Sequence, residues 1–151
     1  MRNAARSCLF LVACWSAPSH AADNPDRLGV PVVLPFENAK FVPASPRPNA
    51  PEIAVLWGEP RTGPSAMFIK LKKGVIPMHI HGSPYHLVVM QGSLKHWNEG
   101  ETEADAQPLG PGSYWFAPAD LPHTDSCLAD ECLVYLVWGG KQDTRSVVPR
   151  K

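Results

Sequence analysis

The chain has 151 residues, with 14 basic and 14 acidic side chains and a formal net charge of zero. No basic tail or patch stands out, which excludes a nucleic-acid binder held by phosphate contacts and a protein recruited to an acidic membrane surface. Seventeen prolines and eleven glycines are spread along it, which excludes long helices and favours short strands separated by turns.

The N-terminus opens with Arg2 and Arg6, continues through the apolar "CLFLVACWSA" and reaches the small-residue site "SHA" ending at Ala21. Charge, apolar run and small-x-small site in that order predict a secretory signal peptide over residues 1–21. The apolar run is far short of the ~20 residues that span a bilayer, so no transmembrane segment is expected. The expected product is a secreted or periplasmic chain, with residues 22–151 forming one domain. A lipoprotein anchored at Cys14, after "LVA", is the competing reading. It suffers from the very short apolar region between Arg6 and Ala13. Removing the signal takes two of the 14 basic residues and none of the 14 acidic ones, leaving a net charge of −2. Cys8 and Cys14 leave with it, so Cys127 and Cys132 in "CLADEC" remain, and an oxidising compartment predicts a disulfide between them.

From the N-terminal side the predicted strands are "VPVVLPF", "EIAVLWG", "SAMFIKL", "GVIPMHI", "YHLVVMQ", "SLKHW", "SYWFAP" and "CLVYLVWG". Turn signals such as "GEPRTGPS", "HGSP" and "APADLP" separate them, "ASPRPNAP" is an early connection, and "EGETEAD" reads as a solvated hairpin loop. Many short strands at this spacing predict an all-β sandwich or barrel. In "HIH" the two-residue period of a strand aims His79 and His81 at the same face, where two imidazoles can share one cation.

The layout around this pair resembles the cupin superfamily. The first cupin motif matches at Gly74, His79, His81, Tyr85 and Gly92, and the second at Gly112, Pro118, Asp120, His123 and Cys127. The wording of the two motifs, which cover residues 74 to 127, looks nearest to a branch close to the cupin-like domain of the ChrR anti-sigma factor. The resemblance implies a double-stranded β-helix, the cupin jelly-roll barrel. It also implies a site holding one divalent transition metal (Fe, Zn, Mn, Ni or Cu) on His79, His81 and His123.

Two departures from the motif bear on that site. The position where cupins supply a carboxylate ligand is occupied by Tyr85, the one residue that satisfies both motif spacings. His86 is the other candidate ligand, but strand parity turns it to the opposite face from Tyr85 unless a bulge intervenes. Asp120 stands in place of a turn glycine, a position an aspartate tolerates at positive φ. Asp120 and Asp125 flank His123 and are candidates to fix an imidazole tautomer. His96 is expected on an exposed hairpin with no role, while Trp97, Trp115, Phe116 and Trp138 are expected in the core or the cavity wall.

Three neutral histidines leave the full charge on the metal, which favours an anionic small-molecule ligand such as an enolate, carboxylate or thiolate. The leading functional expectation is an exported oxygenase-type enzyme, with Tyr85 donating a hydrogen bond to substrate. The alternative is a non-catalytic metal-binding or sensing module. Cupins often pair through edge strands, which implies a homodimer.

Overall fold

The computed structural model describes residues 31–147, so the signal sequence read at residues 1–21 lies outside the described residues. Eight antiparallel strands follow one another: β1 (Val42–Pro43), β2 (Glu52–Gly58), β3 (Ser65–Ile80), β4 (Tyr85–Gln91), β5 (Leu94–Asn98), β6 (Tyr114–Ala117), β7 (His123–Trp138) and β8 (Arg145–Ser146). Among the described residues the one helical element is a single 3-10 turn at Phe36–Asn38.

Two strands do most of the organising. β3 and β7 are each 16 residues long, so "SAMFIKL" and "GVIPMHI" are halves of one strand and "CLVYLVWG" is the end of another. Residues 65–72 of β3 pair with residues 131–138 of β7, flanked by β2 on one side and β4 then β6 on the other. Beyond a register shift, residues 74–79 of β3 pair with residues 123–127 of β7, now flanked by β5 and β8. Each long strand thus serves two sheets, and the all-β jelly-roll barrel expected from the motifs is the fold found.

The corner between the sheets is built from local chemistry. The ladder steps from Lys72↔Glu131 to Gly74↔Cys127, so β7 carries extra residues there, and Gly74 takes the left-handed φ of 136°. A Cys127–Cys132 disulfide closes this bulge. Gly92, at φ 84°, lies against it: a Cβ there would meet Cys132 Sγ at 2.9 Å, so only glycine lets β4 end beside the disulfide. Closing so short a loop removes about 2 kcal/mol of chain entropy from the unfolded state. Reducing the folded protein is therefore expected to lower its unfolding free energy by about that amount, read as a lower urea midpoint than the oxidised protein's.

Between the sheets the core is apolar, centred on Met67, Leu87, Val89, Leu94, Val134 and Leu136. Two-residue alternation sorts β4 cleanly, with Tyr85, Leu87 and Val89 buried and His86 and Met90 exposed. The expected first strand, "VPVVLPF", is not one: residues 31–35 pair with nothing described, and Val32 and Val33 are 64% and 88% exposed. Pro31 and Pro35 carry no N–H, so this stretch cannot complete a ladder.

Candidate metal centre

His79 lies next to the end of β3 and His123 opens β7, and the two are direct cross-strand partners. His81 follows two residues after His79 and so returns to the same face. The strand geometry brings the three rings together, with centroids 4.4 Å (His79–His123), 4.8 Å (His79–His81) and 5.2 Å (His81–His123) apart. One ring nitrogen from each lies within 4.8 Å of the others, and all three residues are buried.

Each imidazole is oriented by a backbone carbonyl. His79 Nδ1 meets Pro77 O at 2.8 Å, His123 Nδ1 meets Leu121 O at 2.9 Å, and His81 Nδ1 bonds Asp143 O on the segment leading into β8. A carbonyl only accepts, so each Nδ1 carries the proton and each Nε2 keeps its lone pair for the cavity. The first two contacts reach back two residues beside a proline (Pro77, Pro122), the same local device in both motifs. Burial pushes the His81 imidazole down to about 4, and burial likewise lowers His123. The neutral form that these shifts favour is the form that binds metals.

Tyr85 opens β4 inside the cavity. Its hydroxyl donates to His123 Nε2 at 3.1 Å and accepts from the Trp115 indole N–H at 3.2 Å. Burial raises its pKa, so it stands as a phenol. His86 has no place among these residues: neighbouring parity sends it to the outer face, where it bonds the Tyr114 hydroxyl at 2.8 Å and packs on Phe116. Phe116, with the same outward parity, is an exposed residue and not a cavity wall. Trp138 is buried with its ring centroid 4.8 Å from that of His81, Trp115 lines the cavity, and Trp97 is buried on β5.

The flanking acids divide. Asp120, at φ 60°, turns outward to Arg145 at 2.6 Å. Asp125 shares the inward parity of His123 and is 8% exposed. Its Oδ1 accepts from His96 Nδ1 at 2.7 Å, and its Oδ2 lies 3.9 Å from His79 Nε2. Carbonyls, and not these carboxylates, therefore fix the tautomers. Burial opposes ionisation of Asp125, but the hydrogen bond from His96 and the surrounding imidazoles outweigh it and hold the carboxyl below its usual range.

His96 corrects an expectation. It is no free hairpin residue: it faces Asp125 across the β5–β7 ladder, stacks on Trp115 at 5.0 Å, and its ring lies 5.1 Å from that of His123. Its position was signalled by Leu94, two residues earlier on β5 and fully buried, which fixes the inward face of that strand.

These groups line a cavity of about 700 Å3 with apolar walls from Ile53, Leu87, Val134 and Leu136, and exposed Arg47, Lys72 and Lys73 along its rim. Three neutral imidazoles with unprotonated nitrogens converging beside an ionised carboxylate make a donor set that fits one divalent transition metal.

Solved structures of the same fold agree with this architecture. KdgF from Halomonas sp. is 20% identical with a TM-score of 0.60, covering 76% of this chain and 97% of its own. The polyketide cyclase RemF from Streptomyces resistomycificus is 18% identical with a TM-score of 0.62, covering 81% and 89%. An RmlC-like cupin from Ralstonia eutropha JMP134 is 18% identical with a TM-score of 0.58, covering 72% and 68%. Among curated proteins, none matches the sequence. Residues 36–145, which hold every strand but the last residue of β8, match one family along their whole length. The chain is a cupin in fold and belongs to the family described as domain of unknown function DUF4437.

Proposed function

We propose that this protein is an exported, metal-dependent enzyme of the oxygenase type that acts on a small organic molecule. The observation that carries the reading is the set of three buried histidines whose ring nitrogens converge beside a phenol. A redox-active divalent metal held by His79, His81 and His123 would supply electron exchange and an open position for substrate. The chain's own residues do the rest. Apolar side chains form part of the cavity wall, and Trp115 holds the Tyr85 oxygen so that its hydroxyl proton, now on His123 Nε2, would turn to a substrate oxygen once a metal takes that nitrogen. Exposed Arg47 at the rim suits a ligand carrying an anionic group such as a carboxylate or enolate, while Lys72 and Lys73 there are paired with Glu131 and Asp130. The polyketide cyclase among the similar structures supports an enzymatic role for a barrel of this size. Export rests on the signal-like residues 1–21, and a single domain over residues 22–151 follows from their removal. The sheet order ends at β1 and β6, and pairing of two chains along such an edge would give a homodimer.

One observation favours a non-catalytic sensing or binding module instead. Tyr85 is held as a phenol and the buried acid Asp125 is tied through one oxygen to His96, so proton transfer to and from a ligand is poorly served among the described residues.

The test is to purify the mature chain with and without air, measure bound metal by elemental analysis, and follow oxygen uptake with β-diketones, thiols and flavonols. The enzyme reading expects uptake with one class, lost in His79→Ala. Bound metal with no uptake from any class would assign the binding module.

A further inference from the structure

The carboxylate missing from the first motif has a replacement on a different strand. In the motif it would stand on β4, where this chain has Tyr85. On β7, two residues after His123 and therefore on the same face, stands Asp125. Its Oδ2 lies 3.9 Å from His79 Nε2 and accepts no hydrogen bond from a described residue, while Oδ1 is taken by His96. Two donors on one metal, each about 2.1 Å from it, lie at most about 4.2 Å apart; the Asp125–His79 spacing is inside that limit, while the histidine nitrogens spread over up to 4.8 Å, so an ion would draw all the donors inward.

An ionised carboxylate shut away from water is costly unless it is paired or coordinated. His96 satisfies one oxygen only. That imidazole is itself immobilised, as the cross-strand partner of Asp125 and by stacking on Trp115 with planes 24° apart. The pair therefore has the form of a ligand and its support: one oxygen tethered from behind, the other left on the side of His79.

We infer that Asp125 is the anionic ligand of the metal centre, held in place by His96 as a positioning residue, so that the site is three histidines and one aspartate with the carboxylate supplied by β7. The inference rests on the metal-binding part of the reading above and is independent of whether the protein is an enzyme. Its consequence is a site one unit less positive than three imidazoles alone would make it.

Binding of Co2+ and Zn2+ to the metal-free mature chain tests it, by titration calorimetry and by the visible absorption of the Co2+ form at one fixed pH. Asp125→Asn is expected to weaken binding more than a hundredfold and to change the Co2+ spectrum. His96→Gln is expected to weaken it about tenfold with a smaller spectral change, the range typical of outer supports. His86→Ala, on the outer face of β4, is expected to leave both unchanged. Infrared difference spectra of the wild-type chain on adding Zn2+ should show a shifted carboxylate band, a readout that does not require the Asp125 variant to fold. Wild-type affinity and spectrum in a folded Asp125→Asn, or no carboxylate shift in the wild type, would overturn the inference while leaving the metal site standing. Absence of any binding by the wild type would overturn both.

Discussion

His123→Ala is expected to reduce affinity for a divalent transition metal by about a few hundredfold. Structural zinc sites with four protein ligands bind with roughly 10–16 kcal/mol in apparent free energy, so one ligand is worth about 3–4 kcal/mol, and each 1.4 kcal/mol is tenfold. His123 is the most buried of the three, at 1% exposure, and its ring contacts both His79 and His81. Its loss therefore opens the centre of the triad, where solvent cannot easily supply a replacement donor. His79→Ala should do nearly as much damage, and Tyr85→Phe should do little. The measurement is competition against a chelator of known affinity, with near-UV circular dichroism to confirm folding. Equal, negligible metal in the wild type and both alanine variants would remove the metal hypotheses altogether.

Acid should destabilise the metal-free protein well before ordinary carboxylates titrate. An unfolded histidine titrates near 6.5, whereas His81 in the fold is held at about 4 by burial, with its carbonyl partner only partly offsetting that. Between those values the unfolded chain takes up a proton that the folded chain refuses. The contribution is fully present above pH 6.5 and is lost as pH falls toward 4, at a cost of about 2–3 kcal/mol. His123, lowered for the same reason, acts in the same direction. Urea midpoints measured from pH 7.5 to 4.5 should fall steadily below pH 6.5. His81→Asn should flatten the slope. A midpoint independent of pH between 7 and 5 would show that these rings are open to water.

Much of the candidate centre could be read from spacing alone, because a two-residue strand period fixes which side chains share a face. "HIH" needs nothing more than that to pair His79 with His81, whereas the place of Tyr85 and the joining of His123 come from the resemblance to the cupin motifs. Spacing could not show that β3 and β7 run unbroken through two sheets. Gly74 looks like the start of a strand, whereas it is a bend within one, and the bulge between Cys127 and Cys132 appears only when the ladder with β3 is counted. Nor could a short stretch such as "SLKHW" declare its inner face: Lys95 and His96 are equally polar, and the burial of Leu94 decides between them. Asp125 was legible as an acid near His123, but its distance from His79 depends on a strand pairing forty residues away in sequence. The backbone carbonyls that fix all three tautomers belong to no side-chain pattern, so no motif could contain them.

The placement of the tryptophans has a practical consequence. Trp138 meets the His81 ring edge-on at 4.8 Å, and Trp115 donates its indole hydrogen to the hydroxyl that touches His123. Two of the chain's five indoles thus sit in contact with the centre. Their emission is a native optical reporter of occupancy, by which loading and ligand entry can be timed without any label.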